Sequence, residues 1–267
     1  EGVFRPGWLY DLVYTGKDPR VSGLGFAAVR DCTSFFRYQP ADGRGTVNPL
    51  RGAIERAYVF GISQSGRFVN HFIYDGFNTD EQQRVVFDGA ISHVSGSGRG
   101  LFNQRFGMAT LCAAQHENRL TPSESFPFTT VAQTDPLTGR SGEILARARA
   151  RGPLPKIFFT QTSTEYWTRG ASLLHTDVEG KKDVALDPNV RLYCVAGAQH
   201  LGGGPTDRGT CQNPRNPLDD RPPVLRALLV ALDQWVTSGK KPPASRYPRI
   251  ADRTLVISGA SRGIGLA

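Results

Sequence analysis

The 267-residue chain contains no run of 18 or more apolar residues, so no segment is expected to cross a membrane as a helix. Its first residues, Glu1-Gly2-Val3-Phe4-Arg5-Pro6, lack the basic-then-apolar order of a secretion signal and lack an initiator Met, so export stays open. Cysteine is scarce: Cys32, Cys112, Cys194 and Cys211 include no C-x-x-C pair and no metal-ligand spacing. Cys194 and Cys211 flank the loop that carries His200, where a bridge would stiffen the chain, but geometry decides disulfides. The net charge of +8 contains no block of five consecutive basic residues, and the densest spot, Arg147 to Arg151, lies within a helical pattern. Zinc-finger spacing and an RNP-like aromatic motif are missing as well, so nucleic acid is not an expected partner and the charge reads as a solvated surface. No internal repeat is apparent.

What is present is ordinary for a globular chain: 39% hydrophobic and 21% charged residues, with enough length for a sizeable core. Apolar runs of strand length alternate with longer amphipathic stretches, the pattern of a mainly parallel sheet covered by helices. Strands are expected at Leu9–Tyr14, Arg56–Ile62 (as a buried strand), Val85–Ile91, Lys156–Thr160 and Val190–Val195. Helical spacing marks Gly23–Tyr38, Gln64–Tyr74 and Pro222–Val236, the last being the strongest amphipathic pattern in the chain. Residues 101–140, rich in Pro, Thr and Gln, read as an insertion over a site, where substrate choice is often set.

The most informative stretch is Tyr58-Val59-Phe60-Gly61-Ile62-Ser63-Gln64-Ser65-Gly66-Arg67. An apolar strand runs through Gly-x-Ser-x-Ser-Gly directly into a helix, as a nucleophile elbow requires: the serine sits on a tight strand-to-helix turn with its hydroxyl exposed. Gly61 fills the small position before the serine, and Ser65 replaces the usual second Gly. Ser63 is favoured over Ser65 because it occupies the apex, whereas Ser65 would follow the helix surface. Ser65 is then expected to be the small residue that lets the helix pack against its strand.

A serine nucleophile needs a base, and five histidines compete. His71 lies mid-helix, His116 lies in the irregular region, and His175 ends a helical pattern. His93 follows a strand and could line a pocket. His200, in Ala196-Gly197-Ala198-Gln199-His200-Leu201-Gly202-Gly203-Gly204, follows a strand and opens a Gly-rich loop that can lift an imidazole over the sheet edge. An acid must hold that imidazole in the right tautomer, and in the hydrolases built on this elbow the chain order is Ser, acid, His. Glu165 is the first carboxylate after the strand Lys156–Thr160. It also reads as a carboxylate favoured by a helix N-terminus, with Ser163 and Thr164 as cap signals. Asp177 and Asp183 look like loop charges.

The blocks Gly61-Ile62-Ser63-Gln64-Ser65-Gly66-Arg67-Phe68, Thr164-Glu165-Tyr166-Trp167 through Asp177, Ala196–His200 and His93–Phe106 resemble those of bacterial α/β-hydrolase-domain proteins. The resemblance covers roughly residues 5–250, and it is more distantly similar to glucuronoyl esterases. It implies an α/β-hydrolase fold over residues 1–250 with the triad Ser63, Glu165 and His200. Gln64 would supply an oxyanion donor, and His93 and Tyr166 would line the substrate site. The expected reaction is hydrolysis of a small-molecule or polymeric carboxylic ester through an acyl-enzyme, with no cofactor and no metal. No second oxyanion loop of the His-Gly-Gly type precedes Ser63, and the domain is expected to lack N-terminal strands. Residues 251–267, with Ser258-Gly259-Ala260-Ser261-Arg262-Gly263-Ile264-Gly265, resemble the first strand and Gly-rich turn of a short-chain dehydrogenase. A dinucleotide site needs a complete βαβ unit, so this segment is not expected to work as one.

Overall fold

The computed structural model of the chain describes residues 2–8, 10, 13–18, 23–100, 102, 125–200 and 221–251. Its centre is a four-stranded, all-parallel sheet formed by β1 (Tyr58–Ile62), β2 (Gly89–His93), β5 (Lys156–Thr162) and β6 (Val190–Val195), in that spatial order. A two-residue pairing, β3 (Gln133–Thr134) with β4 (Ser141–Gly142), lies between β2 and β5 in the chain. Parallel neighbours need crossovers, and α2 (Gln64–Tyr74) supplies the one from β1 to β2. The register is unbroken across the sheet, with Ile62 beside His93 and His93 beside Thr160.

Side chains alternate between the two sheet faces, and each face has its own apolar layer. On one face Ala90, Ile157, Phe159, Val190 and Leu192 pack with Val69, Phe72 and Ile73 of α2. On the other, Ile91, Phe158 and Tyr193 meet Leu228, Leu232 and Trp235 of α5 (Arg221–Ser238). The helix α1 (Gly25–Tyr38) joins the first layer through Phe26, whose ring lies against Phe68, Phe72 and Phe77.

Several expectations shift. Val86 and Phe87 are core, but residues 85–87 form no strand: Asn78 pairs its side chain with both backbone groups of Phe87, and Asp88 is held by Arg37 and the Ala57 N–H. The strand therefore starts at Gly89, after those side-chain bonds have taken the backbone groups a ladder would use. β1 is an edge strand with Phe60 and Ile62 49% and 43% exposed, rather than a fully buried one. Of residues 9–14, Tyr10, Val13 and Tyr14 belong to no strand, and residues 9, 11 and 12 lie outside the described set. The Arg-rich spot is α3 (Ala146–Arg151), where Arg147 pairs with Asp75 and Arg149 with Glu143 and Asp187. No helix among the described residues is long and apolar enough to cross a membrane. Most of the expected insertion (residues 101 and 103–124), Cys112, Cys211 and the tail 252–267 lie outside the described residues, while Cys194 carries a free thiol.

Candidate active site

The four parallel strands all end at one edge, and each leads to a polar group there. Ser63 follows β1, His93 closes β2, Glu165 stands in the short helix α4 (Ser163–Thr168) after β5, and His200 lies on the loop after β6. The carboxyl edge of an open parallel sheet is where ligands bind.

Ser63 joins β1 to α2 with φ 57° and ψ −115°, a conformation that L residues rarely adopt and that costs on the order of 1–3 kcal/mol. Its N–H donates to the His93 carbonyl at 2.8 Å, and its carbonyl accepts the first helical bond from Arg67. A serine at this position normally caps its own helix. Here the hydroxyl makes no cap bond and is free for another partner. Two glycines make the turn possible. A Cβ on Gly61 would lie 2.2 Å from the Ser65 carbonyl oxygen, and one on Gly66 would lie 2.8 Å from the His93 carbonyl oxygen. The close-packing position behind the turn is thus Gly66, and not Ser65, on which the motif reading places it; Ser65 is exposed on the helix surface.

The Ser63 hydroxyl lies 2.8 Å from His200 Nε2, and His200 Nδ1 lies 2.6 Å from Glu165 Oε1. The carboxylate accepts, which assigns the proton to Nδ1 and leaves Nε2 to accept from the serine. Glu165 is fully buried, and its other oxygen, Oε2, accepts from the Thr162 N–H at 2.8 Å and from the Thr162 hydroxyl. One carboxylate therefore both closes the first turn of α4 and orients the imidazole. The cap is Thr162, one residue before the expected Ser163 and Thr164. Those two hydroxyls instead hold the histidine loop, accepting from the N–H groups of Gly197 at 2.9 Å and His200 at 3.2 Å. Arg221, at the start of α5, donates to the carbonyls of Gln199 and His200.

The remaining candidates are placed differently. Gln64 is the first residue of α2, so its N–H lies at a helix N-terminus beside Ser63. His93 is 3% exposed, bonded through Nδ1 to Thr160 Oγ1 at 2.8 Å and stacked near Phe60, which makes it a buried wall beneath the site. The Tyr166 hydroxyl is engaged inside the protein by His175. His71 pairs with Asp75 on α2, and His116 lies outside the described residues. The sequence reading missed Thr162, Ser163, Thr164 and Arg221 as holders of the site. The Thr-x-x-Glu spacing of Thr162 and Glu165 is a capping-box signal and could have revealed the first; nothing in the sequence points to Arg221. A shallow cavity of about 150 Å³ near Ser34 and Asp80 contains none of these groups, and Asp80 is already satisfied by Arg84, Gln82 and Ser34.

Two buried histidines give the fold an acid limit. Burial pushes both His93 and His175 down from 6.5 to about 4, with the Arg221 charge adding to the effect at His93. The unfolded chain takes up these protons near pH 6.5, whereas the folded one refuses them until about pH 4. Stability from these groups is thus complete above about pH 6.5, falls between 6.5 and 4, and levels off below after a loss of about 3 kcal/mol for each histidine. Chemical denaturation across that window should show the decline, with the two imidazole ring protons unchanged in NMR down to near pH 4. Titration of either ring near 6.5 in the folded protein would contradict it.

A strained serine between a parallel strand and its crossover helix, followed along the chain by an acid and a histidine on later strand ends, specifies a fold as well as a site. A family described as "Alpha/beta hydrolase domain" matches residues 9–263, a span that reaches into the Gly-rich tail. No curated protein and no solved structure matches the chain. With the match covering nearly the whole length and a parallel sheet flanked by helices consistent with it, the chain belongs to the alpha/beta hydrolase domain family.

Proposed function

We propose that this alpha/beta hydrolase cleaves carboxylic esters with Ser63 as nucleophile, His200 as general base and acid, and Glu165 as the acid that orients the imidazole. The observation that carries the reading is the continuous chain from Ser63 Oγ through His200 to Glu165, at 2.8 and 2.6 Å. Geometry of this kind is what the reaction requires before any acidity is considered.

In the proposed cycle His200 Nε2 takes the Ser63 proton as Oγ bonds to the ester carbonyl carbon. The negative charge moves to the carbonyl oxygen, where the Gln64 N–H and the N-terminal end of α2 stabilise it. Collapse breaks the bond to the alcohol, which receives the proton from His200, and the acyl group remains on Ser63. Water, deprotonated by His200, then attacks the acyl carbon; the bond to Ser63 Oγ breaks, the acid leaves, and His200 returns the proton to Oγ. The imidazolium formed in each half is balanced by the Glu165 carboxylate, which keeps its own proton inventory unchanged. His93 closes the floor under Ser63 as part of the substrate site.

Purified protein should turn over a panel of p-nitrophenyl esters that includes one bulky aryl ester. Absence of turnover across the panel, together with no covalent labelling by a fluorophosphonate, would overturn the reading.

A further inference from the structure

Glu165 has an immediate neighbour whose contacts serve no purpose in the ester chemistry. Tyr166 is the next residue of α4, a helix of only six residues, and its hydroxyl lies 3.1 Å from His175 Nε2. Burial holds the phenol far above its ordinary range, so the hydroxyl keeps its proton. The Asp183 carboxylate facing Nδ1 favours the imidazole proton on that nitrogen, which leaves Nε2 to accept from the Tyr166 hydroxyl. Nδ1 is buried, has no hydrogen-bond partner, and faces Asp183 Oδ1 at 3.7 Å.

The remaining surroundings fix this ring in place. His175 is 2% exposed, its ring lies 4.4 Å from that of Tyr247, and its backbone carbonyl accepts from Val184. Asp183 is anchored in turn by the N–H groups of Ile250 and Ala251. Burial opposes ionisation of Asp183, yet these donors outweigh it and hold the carboxyl below its usual range. The result is a hydroxyl–imidazole pair, Tyr166 and His175, with the Asp183 carboxylate 3.7 Å from the other ring nitrogen.

We infer that His175 and Tyr166 are positioning residues that fix the rotation of α4, and through it the direction of the Glu165 carboxylate toward His200. The inference rests on the esterase reading for its kinetic consequence, though not for its structural one. A helix of one and a half turns has few bonds of its own to resist rotation. The 3₁₀ turn Ala171–Leu174 returns the chain to His175, so the Tyr166–His175 bond closes a loop around the acid's helix. Without that bond, Glu165 Oε1 can drift from the 2.6 Å contact with His200 while Thr162 still holds Oε2.

Four variants of the full chain test this: Tyr166→Phe, which removes only the hydroxyl, His175→Leu, His175→Gln, whose amide oxygen can still accept, and the double variant Tyr166→Phe/His175→Leu. A fraction of an ångström at a reacting group costs about tenfold in rate, by scaling from larger displacements. Tyr166→Phe and His175→Leu should therefore each lower kcat and the fluorophosphonate labelling rate per folded molecule about tenfold. KM should stay unchanged, the double variant should be no worse than either single, and His175→Gln should recover most of the loss. The low-field NMR resonance of the His200 Nδ1 proton should move in Tyr166→Phe and return in the Gln variant. If His175→Leu fails to fold, Tyr166→Phe decides. Labelling at the parent rate with an unmoved His200 resonance, or single-variant losses that multiply in the double variant, would overturn the inference. If the parent protein neither turns over esters nor labels, the esterase reading has failed, and the His200 resonance still tests the positioning.

Discussion

Replacing Ser63 by Ala should lower ester turnover by about 10⁵-fold and abolish fluorophosphonate labelling, while the protein remains folded. Alanine keeps the Cβ and the backbone demands of the serine, so the strained turn at φ 57° is neither relieved nor worsened. Only the hydroxyl that faces His200 Nε2 is lost. Ser63→Gly is the more revealing companion. It removes the same hydroxyl and also the steric conflict of a positive φ, so it should be inactive yet more stable than the parent by about 1 kcal/mol. Stability gained on loss of the nucleophile would show that the fold holds this residue against its conformational preference for the sake of chemistry. Ser65→Val is the control: its side chain is exposed, and labelling should persist. Mass spectrometry of the labelled peptide places the adduct, and an adduct on Ser65 would show that the wrong hydroxyl has been assigned.

Glu165→Gln should reduce turnover by about 10³–10⁴-fold, because the amide cannot serve both of the positions its carboxylate serves. Oε1 accepts from His200 Nδ1 and Oε2 accepts from Thr162, with no solvent at either. An amide has one acceptor oxygen. If that oxygen faces Thr162, the NH₂ group points at His200 Nδ1 and favours the tautomer whose Nε2 carries the proton, which cannot take one from Ser63. If it faces His200, the NH₂ group meets the Thr162 N–H, a buried conflict of two donors that costs about 1–3 kcal/mol. The variant should therefore lose activity, with part of the loss accompanied by a lower melting temperature. Asp177→Asn should stay within about twofold of the parent, since Asp177 only organises an exposed turn through the N–H groups of Lys181 and Lys182. Reversed phenotypes for Glu165 and Asp177 would remove Glu165 from its proposed role.

Much of this molecule was legible in its residues. Strand length, apolar alternation and helix periodicity are local properties, so α2 and β6 fall on the residues expected of them, Gln64–Tyr74 and Val190–Val195. Gly61, Ser63 and the helix after them were readable because a strained turn restricts which residues can occupy it. Ser63, Glu165 and His200 could be ordered as candidates because each follows a strand of one parallel sheet, and such a sheet delivers successive strand ends to one edge. Tertiary structure decided what depends on distant partners. Whether Val85–Phe87 forms ladder bonds rests on Asn78, and whether Gly66 or Ser65 must be small rests on the His93 carbonyl. Thr162, Ser163, Thr164 and Arg221 hold the site through bonds to groups far from them in the chain or on the next turn. Hydrophobic pattern records which residues leave water; it does not record which polar group meets which, because that is fixed only when separate elements pack and every buried donor must find an acceptor.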